Sequence, residues 1–304
     1  MSEKWTADRI PDQSGKLAIV TGANSGLGRI TALELARHGA EVVVACRSTD
    51  KGEAAAGEMA ALATGPAPRV EKLDLGSLDS VREFAEPYSD RRVDLLVNNA
   101  GIMMTPRETT SDGFELQLGT NHLGHFALTG HLLDALERSD SARIVTVSSI
   151  EHRGGTIDFD DLQMENGYTP RDSYQRTKLA NAVFAVELDR RLRDAGSSTL
   201  SVFAHPGYSD TNLQSTGPTG LMKAVLKIGN RLMAQSAESG ALPQLYAATA
   251  PGIEGGEYYG PDGRREMRGH PTKVRAKRAA YDPQIGARLW NISEELTGVA
   301  YLSR

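Results

Sequence analysis

Short apolar runs alternate with longer amphipathic stretches along this chain, the pattern that βαβ units leave when they build a parallel sheet. The strand-sized runs are Leu17–Val20, Glu41–Cys46, Val70–Leu73, Asp94–Val97, Ala142–Val147, Thr199–Ala204 and Glu257–Tyr259. Helical spacing predicts helices over Gly26–His38, Lys51–Leu62, Leu78–Phe84, Gly113–Glu137, Ser173–Asp194, Ala237–Ala250 and Pro283–Thr297. Ser77 and Asp282 stand where N-caps belong, because their side-chain oxygens can accept from the free amides of a first helical turn. The expected fold is α/β: one doubly wound Rossmann-type domain over residues 16–304, with a parallel seven-stranded sheet, after an N-terminal arm of residues 1–15. Two irregular segments break the alternation, the polar Glu151–Pro170 and the Gly/Pro/Ser/Thr-rich Ser209–Gly220. Loops of that length inside a compact domain are usually functional or mobile.

Composition removes several function classes. The 304 residues are 39% hydrophobic and 24% charged, which suits a soluble chain that can bury a full core. A net charge of -5 provides no global field for a polyanion, so no nucleic-acid partner is expected. No apolar run approaches the roughly 18 residues of a membrane span. The opening residues lack the apolar core of a signal peptide, and the one cysteine, Cys46, has no partner for an internal disulfide. A reducing, cytoplasmic setting is expected.

The first strand runs into Thr21-Gly22-Ala23-Asn24-Ser25-Gly26-Leu27-Gly28 and then a helix. Glycines there permit a tight turn and close approach to a phosphate, with a helix N-terminus facing the anion, which is the context a dinucleotide site demands. Further along, Tyr174 and Lys178 are four residues apart, so both side chains leave one helix face. An ammonium beside a phenol favours the phenolate, so lysine is expected to tune tyrosine downward. Taken alone, the same pair also fits a half-buried aromatic and a solvated lysine. His122, His125 and His131 share one helical stretch, but no carboxylate or cysteine completes a metal set, so they are expected in the core or on the surface and no metal is expected.

With Asn98-Asn99-Ala100-Gly101 after the fourth strand, the Gly-x-x-x-Gly-x-Gly turn and Tyr174-Gln-Arg-Thr-Lys178 resemble the short-chain dehydrogenase/reductase family. The resemblance runs from about Lys16 to Thr211 and takes in Asp74-Leu75, Asn121, Ser148-Ser149 and Pro206-Gly207 in the family's order. Ser149-Ile-Glu-His, Asp161-Leu-Gln and Lys178-Leu-Ala-Asn are most similar to its retinol-dehydrogenase-like branch, whose members act on lipophilic alcohols, aldehydes and ketones. The resemblance implies hydride transfer between a nicotinamide and a carbonyl/alcohol pair. Tyr174 would be the general acid/base, Ser149 would hold the substrate oxygen, Lys178 the nicotinamide ribose, and Asn121 would support a water-linked proton path. The implied cofactor residues are Gly22, Asn24, Ser25, Gly26, Leu27, Gly28, Arg47, Ser48, Asp74, Leu75, Asn99, Ala100, Gly101, Val147, Pro206, Gly207, Ser209 and Thr211, with Tyr174 and Lys178. Thr177 and Ser209 depart from the family pattern, which has serine before the lysine and Val or Ile at the last position of Pro-Gly-x-Val/Ile.

Cofactor choice is read at the end of the second strand, where an Asp would accept from a ribose 2′-hydroxyl and repel a 2′-phosphate. The chain has Cys46 followed by Arg47, a forked cation suited to phosphate, so NADP(H) is expected over NAD(H). A surface arginine at a strand end is the plainer alternative. Residues 209–235 are expected to form a substrate lid, their Leu221, Met222, Val225, Leu226, Ile228, Leu232 and Met233 either lining a lipophilic site with Met103 and Met104 or packing as an amphipathic helix. The expected partner is a small lipophilic carbonyl or alcohol, and a homo-oligomer is possible. The competing function is a catalytically silent dinucleotide sensor or scaffold, which would need the glycine turn but no proton-transfer residues.

Overall fold

The computed structural model describes residues 4–208 and 236–303. Eight strands form one sheet in the order β3-β2-β1-β4-β5-β6-β7-β8. They are β1 Leu17–Thr21, β2 Glu41–Cys46, β3 Arg69–Lys72, β4 Leu95–Asn98, β5 Arg143–Val147, β6 Leu200–Ala204, β7 Tyr258–Pro261 and β8 Pro271–Val274. The first seven run parallel, with Leu17 opposite Glu41 and Ala18 opposite Leu95. The expected seven-stranded parallel sheet is therefore one strand short: β8 pairs antiparallel with β7, Tyr258 opposite Val274. Its sequence, Pro-Thr-Lys-Val, has no apolar run because it is a partly exposed edge strand, and an edge also tolerates its proline.

Side chains of β1 and β2 alternate between the two faces. Ala18, Val20, Val42 and Val44 join the core beneath α1 (Gly26–Arg37), α2 (Thr49–Ala60) and α7 (Ala237–Thr249). Leu17, Ile19, Val43 and Ala45 join the core beneath α3 (Leu78–Ala85), α5 (Gly124–Glu137), α6 (Pro170–Asp194) and α8 (Pro283–Thr297). Trp290 of α8 fills the outer side of that second layer, 5.0 Å from the Phe126 ring and 4.7 Å from Tyr301, with the Arg191 guanidinium 4.4 Å above it. The N-terminal arm is held down, because Ile10 is buried and Trp5 meets Tyr246 edge-on at 5.2 Å.

The expected caps at Ser77 and Asp282 are both made, to Ser80 and to Gln284 and Ile285. The single helix expected over Gly113–Glu137 is instead broken. Gly113 sits at φ 85°, and Glu115 caps a short turn α4 (Leu116–Leu118) by accepting from the Gln117 and Leu118 amides. A π-helical turn, Gly119–Leu123, then precedes α5. α6 begins three residues earlier than its periodicity suggests, with Thr169 as cap and Pro170 in the first turn, where its missing N–H costs nothing. The lid expected over 209–235 lies outside the described residues.

Candidate active site

β1 is flanked by β2 and β4, so the strand order reverses there and a crevice opens at the carboxyl ends. A cleft of about 310 Å³ occupies it. Of the residues expected at the cofactor, Gly22, Asn24, Ser25, Gly26, Leu27, Gly28, Arg47, Ser48, Asp74, Leu75, Asn99, Ala100, Gly101, Val147, Tyr174, Lys178 and Pro206 line it. Ser149 lines it as well, whereas the buried Asn121 and the half-buried Gly207 are not part of its lining. Ser209 and Thr211 lie outside the described residues. Thr21, Ala45, Lys51, Leu73, Ile102, Thr120 and Ser148 also reach the cleft, unforeseen from the sequence.

The glycine turn is shaped for an anion. Gly26 sits at φ 54° with open space where a Cβ would be, and Ser25, at the N-cap of α1, spends no side-chain bond on the helix amides. Gly28 has the opposite reason: a Cβ there would lie 2.5 Å from Asn99 Nδ2 and 2.6 Å from the Gly22 carbonyl. Thr21 closes the same corner, its hydroxyl oxygen accepting from the Asn99 and Ala100 amides at 2.9 Å each. At the far end of the cleft, Arg47 and Lys51 are exposed, and among the described residues neither is held in an ion pair.

Tyr174 and Lys178 project from one face of α6 into the other end, with Lys178 Nζ 5.8 Å from the tyrosine ring centre. Lys178 donates to the Val147 carbonyl at 3.0 Å, and burial lowers its ammonium to about 8. Burial also pushes the Tyr174 phenol up to about 12, opposed by a hydrogen bond with the Ser149 hydroxyl. The expected downward tuning by lysine is not seen: desolvation sets the direction, Lys178 is not among the groups that shift the phenol, and helix spacing says nothing of desolvation. Of the two adjacent serines, Ser148 is buried and donates to the Lys178 carbonyl at 2.8 Å, which commits its hydroxyl to the scaffold. Ser149 is half-buried, and its Oγ accepts from the Glu151 amide at 3.2 Å.

Asn121 is carried inward by the π turn. Its amide pairs with the backbone of Ile102, accepting at 2.8 Å and donating at 2.9 Å, and it also donates to Thr177 at 3.2 Å. Thr177 in turn donates to the Tyr174 carbonyl at 2.9 Å, so the departure from serine keeps a bonded hydroxyl. His122 and His125 are buried in the core, held down to about 4 and about 3 by burial, while His131 is exposed. Among the described residues no cluster suits a metal ion, and no helix is long and apolar enough to cross a membrane.

Residues 16–160 match the short chain dehydrogenase family model. Over 294 residues the chain is 42% identical to retinol dehydrogenase 13 of Mus musculus, covering 94% of this chain and 85% of that one. The chain belongs to the short-chain dehydrogenase family. Within that oxidoreductase family it falls in the retinol-dehydrogenase-like branch, being also 40% identical to human retinol dehydrogenase 12, with 94% and 88% covered. A crystal structure of an uncharacterized protein from Mycobacterium paratuberculosis superposes with a TM-score of 0.82 at 44% identity, covering 98% of both chains. A solved structure from Beutenbergia cavernae, described as an NAD(P) dependent gluconate 5-dehydrogenase with bound NADP, superposes at a TM-score of 0.62 and 27% identity over 78% of this chain and 91% of that one.

Proposed function

We propose that this short-chain dehydrogenase is an NADP(H)-dependent oxidoreductase of lipophilic carbonyl/alcohol pairs, with Tyr174 as its general acid/base. The observation that carries the reading is the convergence of Ser149, Tyr174 and Lys178 at one end of a cleft whose other end carries the glycine turn and two unpaired cations. When bound, the dinucleotide supplies or takes up the hydride. Gly22 to Gly28 would hold its pyrophosphate, Arg47, Ser48 and Lys51 its 2′-phosphate, and Asn99, Ala100, Gly101 and Val147 the nicotinamide half. Asp74, Leu75 and Pro206 would complete the cradle.

A phenol near pKa 12 keeps its proton at neutral pH, so Tyr174 is set to donate during reduction. Ser149, which lines the same cleft as Tyr174, would share the substrate oxygen with it. Lys178, near 8, would pass a proton onward, and Asn121 would support the path behind it. The relatives named retinol dehydrogenase support a bulky apolar substrate, and the dinucleotide of the Beutenbergia cavernae structure supports NADP. The catalytic unit would be a single domain from residue 16 onward, working in a reducing compartment such as the cytoplasm with its one thiol, Cys46, buried and free.

The test is to mix the protein with NADPH and a panel of steroids, retinoids, aromatic aldehydes and short ketones, and to follow loss of reduced-nicotinamide absorbance. Turnover favouring bulky apolar carbonyls is expected. Tight NADPH binding with no turnover across the panel would overturn the reading in favour of a silent sensor.

A further inference from the structure

His125 lies in the first turn of α5, 2% exposed, with both ring nitrogens bonded. Nδ1 is 3.1 Å from the Asn121 carbonyl and Nε2 is 2.9 Å from the Thr21 hydroxyl. A carbonyl oxygen only accepts, so Nδ1 carries the proton. A neutral ring has one N–H, which leaves Nε2 as an acceptor and obliges Thr21 to donate to it. The other acceptor for that hydroxyl, the Val97 carbonyl, is farther away at 3.3 Å. With its proton committed, the Thr21 oxygen has both lone pairs free for the Asn99 and Ala100 amides. One imidazole thereby fixes the turn that lines the cleft and, through its other nitrogen, the backbone of Asn121. The Asn121 side chain is already clamped on Ile102, so its carbonyl is the part left for His125 to hold.

We infer that His125 is a positioning residue that couples the Asn99–Ala100 turn of the cofactor cradle to the Asn121 carbonyl, setting nucleotide affinity through Nε2 and proton delivery through Nδ1. This rests on the function proposed above. It divides one side chain into two separable jobs, and two amides can separate them. An asparagine places its NH₂ near the position of Nδ1 but falls short of Thr21; a glutamine reaches the position of Nε2 and offers an oxygen to Thr21.

The experiment measures kcat for the best carbonyl of the panel and the NADPH dissociation constant by fluorescence in His125→Leu, His125→Asn and His125→Gln, with circular dichroism and thermal melting to verify folding. His125→Leu should lose about tenfold in both quantities, the size of one buried hydrogen bond each. His125→Asn should restore most of kcat but not NADPH affinity, and His125→Gln most of NADPH affinity but not kcat. If His125→Leu does not fold, the two amide variants against the wild type carry the same split. Exchanged rescues, parallel loss without rescue, or no change in any variant would each overturn the inference. Should the wild type turn over no substrate, the oxidoreductase reading fails by itself, and the asparagine-against-glutamine difference in NADPH affinity still decides whether the Nε2 link exists.

Discussion

Arg47→Ala, alone and combined with Lys51→Ala, removes the cations at the far end of the cleft from Tyr174. Both side chains are exposed and neither surrenders an ion pair on meeting a phosphate, so each is free to make a charge-assisted contact. Such a contact is worth roughly 1.5–3 kcal/mol when sheltered. In an exposed setting with solvent screening, about 1–2 kcal/mol is the better figure, or roughly 5–30-fold in kcat/KM for NADPH. NADH has no 2′-phosphate, so its kcat/KM should barely change. The double variant should lose less than the product of the single losses, because both cations address one phosphate. Raising salt should weaken the wild-type preference as the screening length shrinks below about 8 Å. The assay is the ratio of kcat/KM for the two cofactors at low and high ionic strength. An unchanged ratio in the double variant, or an equal fall for both cofactors, would refute the assignment of Arg47 and Lys51 to the phosphate.

Three further outcomes are expected. Tyr174→Phe should lower kcat by roughly 10²–10⁴-fold while NADPH affinity stays near normal, and retention of more than half the activity would sink the acid/base role. Trp290→Ala should cost about 3–5 kcal/mol in denaturant unfolding, since it empties a site shared with Phe126, Phe184 and Tyr301; a loss below about 1 kcal/mol would mean that α8 is only loosely docked. His122, His125 and His152 are held by burial at about 4, about 3 and about 4, against roughly 6.5 in an unfolded chain. Their contribution is fully present above the unfolded value and is lost as pH falls toward the folded ones, so the melting temperature should drop from about pH 7 to about pH 4. Asp189, raised to about 6 by burial, works against this as one group against three. A flat melting profile would contradict it.

How much was legible in the sequence depended on whether local pattern or long-range surroundings set each feature. The glycine turn was readable because its spacing and its place after an apolar run are both local, and the cleft closes over those residues. Ser149 was separable from Ser148 only by resemblance; in the fold, Ser148 turns its hydroxyl to the Lys178 carbonyl. The π turn around Asn121 left no trace in periodicity, since an i→i+5 slip over five residues shifts the apolar pattern too little to register. β8 escaped for want of apolar residues. Lys51 escaped because a lysine in a first helical turn is indistinguishable from a solvated one until the helix is aimed at the cleft. The phenol of Tyr174 was placed on the wrong side of its ordinary value because spacing reveals a neighbouring charge but not the depth of burial.

α8 lies across the aromatic side of α5 and α6, with Trp290 seated among Phe126, Phe184 and Tyr301. A cover attached to the chain it covers is present at an effective concentration that dilution cannot lower, commonly in the millimolar range for short tethers. A second copy seeking that face would have to outcompete a ligand that never diffuses away. The α5–α6 side should therefore behave as interior at every protein concentration, and any self-association must be built on other surfaces. A chain cut before Pro283 would be a different object: its newly bared aromatics would make its behaviour depend on how much of it is in the tube.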